Sequence, residues 1–237
     1  MKKVLAPLQF LTFAGHFACA QASPEEIGKS AGFFPLVGFA LGLALALLNR
    51  LLEPYLESEI LGVVLITILI VMTGAIHLEG TQKTFDELAT GINSRRRSES
   101  TSGIYGLLAL LVIVLFKVRA VEVIGETRSV SLLLTPMLAR WSLVIFLYGS
   151  AAPSKDSAGI IAENVKGWHL LAATVATLTL AMYLAGRTVL WIGLWLSLLS
   201  LLSRTYLHHL RGGITYNQLG TLIELSETLS LILFASI

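Results

Sequence analysis

Apolar runs at 31–49, 60–76, 103–124, 130–150, 167–186, 188–203 and 219–237 recur along the whole chain, parted only by short polar segments. Each comes close to the ~20 residues that a helix needs to cross a ~30 Å hydrocarbon core. Strands are excluded, because an open sheet edge in lipid leaves backbone groups unpaired at several kcal/mol each. Only 14% of the 237 residues are charged, and the mean hydropathy is +0.77. Too few charges are present to clothe a water-soluble domain of this length. The expected fold is all-α: a polytopic transmembrane helical bundle of about seven spans. With no internal repeat or low-complexity linker, residues 1–237 read as a single integral-membrane domain.

The first residues look different. Lys2, Lys3, the apolar stretch 4–17 and Ala18-Cys19-Ala20 have the layout of a secretory signal with a small-residue cleavage site. Pro7, Gln9, Thr12 and His16 interrupt that stretch, which favours a short N-terminal amphipathic or re-entrant segment instead. Cys19 is the one cysteine, so a disulfide framework or a cysteine zinc site is excluded. The formal charge of +2, with no basic block among aromatics, gives no footprint for nucleic acid.

Basic residues set the orientation. With the N-terminus in the cytoplasm, the inner side collects Lys2, Lys3, Lys29, Lys83, Arg95, Arg96, Arg97, Lys155, Lys166, Arg204 and Arg211. The outer side keeps Arg50, Arg128 and Arg187, and its first loop is acidic at Glu53, Glu57 and Glu59. The segments 77–102, around Lys155 and 208–217 therefore share the cytoplasmic surface of the cell membrane, the inner one where there are two.

Those segments hold most of the polar chemistry. If the second span continues as a helix, Glu79, Lys83 and Asp86 fall on one face at i, i+4 and i+7, next to Glu87. Two carboxylates so placed can share a hard cation such as Mg²⁺, with substrate phosphates and water completing its shell. The same spacing also describes a solvated helix end carrying a Glu79–Lys83 pair. Arg95, Arg96 and Arg97 can grip phosphates bidentately, or mark orientation at anionic headgroups.

Charges within the apolar runs are more constrained. Arg140 lies inside 132–147, where a cation at the bilayer centre costs about 2.5–3.5 kcal/mol, so an internal partner or a polar cavity is expected. Glu224 and Glu227, about one turn apart, belong in the bundle interior for the same reason. Lys117 has a stem long enough to reach the interface. Gly212-Gly213, ahead of Thr215, Tyr216 and Asn217, lets backbone approach a ligand closely. His16 and His169 are expected at the interface, and the adjacent His208 and His209 do not share a helical face.

In order along the chain, Leu8-Gln9-Phe10-Leu11-Thr12, Phe34-Pro35-Leu36-Val37-Gly38, His77-Leu78-Glu79-Gly80 with Asp86, Lys117, Arg140-Trp141, Gly212-Gly213 with Thr215, Leu219-Gly220 and Glu224-Leu225 resemble the cobalamin synthase family, the adenosylcobinamide-GDP ribazoletransferases. The resemblance runs through essentially the whole chain. Departures fall in the motifs themselves. Glu79 stands for an aspartate, Lys83 for a second aspartate, Glu87 for a glycine, and Tyr216-Asn217 for glycine-aspartate. The arginine-rich stretch is shorter than usual, and Glu99-Ser100-Thr101 replaces aspartate, a small residue and arginine.

The resemblance implies a phosphotransferase that joins α-ribazole or its 5′-phosphate to adenosylcobinamide-GDP and releases GMP. It implies Mg²⁺ as cofactor, held by Glu79, Asp86 and Glu87, with Glu79, Lys83 and Asp86 as catalytic residues. His77, Arg95, Arg96, Lys117, Arg140, Gly212, Gly213, Thr215 and Asn217 are then the substrate-binding residues. A second copy of the chain or other cobalamin-assembly proteins are the candidate protein partners. Two alternatives stay open on the altered motifs: a catalytically silent corrinoid-binding homologue, and another membrane phosphotransferase acting on a nucleotide-diphosphate-linked alcohol. A transporter ranks below them, because the motif loops gather on one side and no inverted repeat is visible.

Overall fold

The computed structural model describes residues 2–13, 22–90, 103–152 and 156–237. Among these, every regular element is a helix. They are α1 (Lys2–Leu11), α2 (Pro24–Lys29), α3 (Phe34–Leu52) after a 3-10 turn at Ala31–Phe33, α4 (Ser58–Met72), α5 (Ile76–Thr90), α6 (Ile104–Val123), α7 (Arg128–Leu147), α8 (Ser157–Glu163), α9 (Gly167–Ala185), α10 (Thr188–Arg211) and α11 (Tyr216–Ala235).

Six of these helices are long and apolar enough to cross a membrane, and the count rises to seven if the bent pair α4 and α5 is taken as one span. The chain is thus a multi-pass membrane protein. The run 60–76 is not one straight span: α4 stops at Met72, and α5 leaves it at 90°. The break is a backbone event. Gly74 and Ala75 both take positive φ, at 64° and 56°, a conformation that L-residues other than glycine adopt at a cost of about 1–2 kcal/mol. The Thr73 hydroxyl donates back to the carbonyls of Leu69 and Ile70 and satisfies part of the freed helix end.

The centre of the bundle is α7 with α11. Of their apolar stretches, 83% and 72% respectively are buried, against 28% or less for α6, α9 and α10. The outer helices turn leucines to the lipid, as with Leu107, Leu111 and Leu115 on α6. Close backbone approach explains the packing of α3 on α7. A Cβ at Gly38 would lie 2.3 Å from the Pro136 carbonyl oxygen, and one at Gly42 would lie 2.1 Å from that of Leu133. Gly38 and Gly42 form a small-xxx-small pair, the arrangement that lets membrane helices pack without a hydrophobic driving force. Ser142 on α7 meets Ser226 on α11 at 2.7 Å, and Ser200 on α10 donates to the Ser142 carbonyl at 3.1 Å.

α1 spans only 10 residues, about 15 Å of helix, too short to cross. It packs against the bundle with Leu11 fully buried and the Phe10 ring 5.7 Å from Phe34. His169, in the first turn of α9, is buried: its Nδ1 accepts from Lys166 N at 2.9 Å, leaving Nε2–H to donate to the Lys29 carbonyl at 2.9 Å. His16, Cys19, Arg95, Arg96, Arg97, Glu99 and Lys155 lie outside the described residues.

Candidate active site

α5 and α11 cross with almost nothing between them. A Cβ at Gly80 would lie 2.6 Å from the Asn217 carbonyl oxygen, and one at Gly220 would lie 2.9 Å from the Cα of His77. Small residues on both helices are what permit this approach. It brings the motif that starts at His77 against the motif that ends at Gly220. Beside the crossing lies a cavity of about 150 Å³ lined by His77, Glu79, Gly80 and Lys83 of α5, by Tyr216, Asn217 and Gly220 of α11, and by Phe10 of α1.

Within this cavity Glu79 and Lys83 form an i,i+4 pair, Nζ to Oε1 at 2.5 Å, both more than half exposed. His77 is 3% exposed, and its Nε2 has no hydrogen-bond partner among the described residues. The Leu11 carbonyl takes the other hydrogen bond of the ring, which leaves Nε2 as the acceptor of the neutral imidazole.

The start of α11 is held from outside the motifs. Asp156 Oδ1 caps α8 at Ala158 N (2.8 Å) and also accepts from Tyr216 N (3.1 Å). Gln218 Oε1 accepts from Thr215 N at 2.8 Å. Sequence reasoning missed Asp156. An aspartate just before Ser157-Ala158 is an N-cap signal, but its second bond crosses 60 residues and has no local signature.

Other expected residues are placed elsewhere. Asp86 faces α6, where its Oδ1 accepts from Gly106 N at 2.8 Å and complements the positive end of that helix. Glu87 accepts from Arg211 Nη1 at 2.6 Å, tying α5 to the end of α10. Gly212 ends α10 at φ 74°, and Gly213 lies so close to Ala151 that a Cβ would sit 2.2 Å from its carbonyl oxygen. The double glycine serves the α10–α11 turn and a backbone contact, with Ile214 N donating to Ala151 O at 2.8 Å. It presents Thr215–Asn217 without lining the cavity.

Lys117 does not reach the interface. It is 2% exposed, with Nζ 2.6 Å from Glu224 Oε2 and 2.5 Å from Glu227 Oε2. Arg140 is fully buried and pairs with the other oxygen of Glu227. Two cations and two carboxylates so cancel inside the bundle, which answers the expectation of an internal partner for Arg140. This cluster lies within electrostatic reach of His77 but does not line the cavity.

The whole chain has relatives. Residues 3–235 match the family model described as cobalamin-5-phosphate synthase. The chain belongs to the cobalamin-5-phosphate synthase family. Among its relatives named adenosylcobinamide-GDP ribazoletransferase, that of Geotalea daltonii is 31% identical over 97% of this chain and 95% of the relative. The Syntrophobacter fumaroxidans protein is 33% identical over 88% and 87%, and that of Pseudomonas aeruginosa is 30% identical over 99% and 98%. No solved structure matches the chain. Membership in this synthase family makes the chain a transferase of cobalamin biosynthesis.

The expected Mg²⁺ set can be compared with the donors that this synthase-family member presents. Mg²⁺ takes one or two protein carboxylates in near-ideal octahedral geometry. Glu79, Asp86 and Glu87 are not gathered: one lines the cavity, one caps α6 and one holds Arg211. Glu79 moreover carries the Lys83 ammonium on its own oxygen. Among the described residues no group of three His, Cys, Asp or Glu side chains could hold a metal ion. The described donors do not fit a protein-built magnesium site.

Proposed function

We propose that the chain is an adenosylcobinamide-GDP ribazoletransferase acting at the cavity beside the α5–α11 crossing. One observation carries this reading. Motifs separated by more than a hundred residues converge there on one cavity that carries Glu79, Lys83, His77 and Asn217, at a bundle end where an embedded corrinoid and a water-soluble nucleoside can meet. Phosphoryl transfer asks the protein for positioning and charge neutralisation more than for covalent work, and the cavity offers both.

In this reading the 3′-hydroxyl of α-ribazole, or of its 5′-phosphate, attacks the cobinamide-side phosphorus of adenosylcobinamide-GDP. The new O–P bond forms as the bond to the bridging oxygen breaks, and GMP leaves with that oxygen. The hydroxyl proton passes to the Glu79 carboxylate, the one carboxylate among the described residues that lines the cavity. Lys83 turns from Glu79 to the phosphate oxygens and offsets their charge. Their ion pair is exposed, so little stability is lost when it opens. His77 Nε2 accepts from a sugar hydroxyl. Asn217, on the first turn of α11, donates its amide to phosphate.

The bias of Lys and Arg supports a cytoplasmic N-terminus, with the three motif segments on the same side. Adenosylcobinamide-GDP and the nucleoside are then both delivered from that side.

The test is GMP release by protein in lipid nanodiscs given adenosylcobinamide-GDP and α-ribazole 5′-phosphate. Release is expected only with both substrates and is expected to fall in Glu79→Gln and in Lys83→Met. Folded protein that consumes a CDP-alcohol and leaves adenosylcobinamide-GDP intact would sink the assignment.

A further inference from the structure

A second recess lies behind the same pair of helices. Its volume is about 100 Å³, and its walls include Thr84 and Phe85 of α5, Phe146 of α7, Tyr206 of α10 and Leu225 of α11. Apolar side chains dominate, but two buried polar groups that line it have no partner among the described residues: Gln218 Nε2 and Thr84 Oγ1. Both residues are at least 97% buried, with exposures of 2% and 3%.

The direction of the Gln218 amide is not free. Its oxygen must serve the Thr215 N–H, which needs an acceptor, so the NH₂ group is left as a donor on the recess side. A buried donor without a partner costs roughly 1–3 kcal/mol. An acyl chain entering the recess would fill its apolar volume and leave that cost in place. A flat aromatic base with one acceptor nitrogen fills the volume and also meets the donor. Phe85, Phe146 and Tyr206 offer the ring faces and edges that such a base packs against.

We propose that this recess is the subsite for the aromatic base of the incoming nucleoside. Under the ribazoletransferase reading, on which this inference rests, that base is the benzimidazole of α-ribazole, bonded to ribose through one nitrogen and presenting the other as an acceptor. Gln218 Nε2 donates to that free nitrogen, and Thr84 Oγ1 is the second donor, toward the sugar. Neighbouring residues on the first turn of α11 divide the two sites: Asn217 lines the cavity that holds Glu79 and Lys83, and Gln218 lines the recess. Thr221, in the recess wall, donates to the Asn217 carbonyl at 3.2 Å. The base thus sits against Gln218 while its ribose reaches over the start of α11 to the cavity.

Gln218→Glu removes the donor and puts a carboxylate in its place. A glutamate keeps the oxygen that serves Thr215 N, at a position where capping boxes favour it, and loses the NH₂ group. Leu225→Trp fills the recess and leaves the cap untouched. GMP release is measured in nanodiscs while each substrate is varied in turn. The expected result for both variants is a KM for α-ribazole raised about tenfold, the equivalent of one lost hydrogen bond or packed ring, with the KM for adenosylcobinamide-GDP unchanged. Wild-type turnover with both KM values unmoved in the variants overturns the subsite and leaves the synthase reading standing. No turnover by folded wild-type protein overturns that reading and the subsite with it. A photoreactive fatty acid that labels Phe85 or Leu225 in wild-type protein, undiminished by saturating α-ribazole, identifies a lipid crevice and overturns the subsite. Suppression of that labelling by α-ribazole supports it, even if neither variant folds.

Discussion

Lys117 Nζ lies 2.5 Å from Glu227 Oε2, although 110 residues separate them along the chain. The contact joins α6 to α11, and the second oxygen of the same carboxylate holds Arg140 of α7. One buried carboxylate therefore ties together three of the crossing helices. Glu227→Ala leaves two cations facing one carboxylate in the bundle interior, and removal of one partner from a buried pair costs about 3–5 kcal/mol. The expected outcome is a large fall in melting temperature in nanodiscs, or no folded protein. Lys117→Met combined with Glu224→Met removes a matched pair and leaves Arg140 with Glu227. That double variant is expected to melt close to wild type. If it melts as low as Glu227→Ala, the cluster is not acting as compensated charge.

Hydropathy made the spans legible because lipid burial is a sum over side chains, and sums survive errors of a residue or two. The break at 73–75 was invisible to that sum. Gly74 and Ala75 are apolar enough to extend the run, and what ends the helix is their positive φ. Rarity of charge in an apolar run flagged Arg140, Glu224 and Glu227 one at a time, but pairing is a property of three helices. Lys117 was misjudged for that reason: its stem can reach water, but two carboxylates lie nearer. The face shared by Glu79 and Lys83 was correct. Asp86 shares that face at i+7, but its carboxylate turns to α6, whose start supplies an unpaired N–H that no spacing rule within α5 can reveal.

The α3–α7 contact rests on two missing side chains. Gly42→Val would place a Cβ 2.1 Å from the Leu133 carbonyl oxygen, a backbone atom unable to swing aside. Gly125 has nothing within 4 Å of its would-be Cβ and is the matched control. Gly42→Val is expected to cost at least the ~1–3 kcal/mol of ordinary overpacking, and Gly125→Ala to be neutral. Size-exclusion profiles and melting curves in mild detergent compare the two. Equal behaviour would mean that α3 and α7 do not pack backbone to backbone.

Asp86 separates a structural role from a chemical one. Asp86→Asn keeps an oxygen for Gly106 N and loses the charge, whereas Asp86→Ala loses both. On the geometry here Asp86→Asn retains most GMP release, and Asp86→Ala loses about 1 kcal/mol or more of stability, as a removed helix cap does. A hundredfold loss of turnover in Asp86→Asn, with an unchanged melting temperature, would return this carboxylate to the chemistry. Glu79→Gln is the opposite case. Among the described residues its one ion pair is the exposed pair with Lys83, so turnover is expected to fall with the melting temperature unmoved.

Sidedness follows from where charges and ends of helices fall. Tyr55, 80% exposed between α3 and α4, lies at the bundle end that also holds the contact between Ser58 and Arg128. Tyr216 lies at the other end, against Phe10 and beside the cavity. With Cys19→Ser as background, a cysteine at each position can be probed in intact cells with a membrane-impermeant maleimide. The positive-inside bias predicts labelling of Tyr55→Cys from outside, and labelling of Tyr216→Cys only after permeabilisation. The reverse pattern would put the cavity outside the cell, away from any cytoplasmic supply of a nucleotide-linked substrate. The ribazoletransferase reading would then have to be given up, whatever the fold.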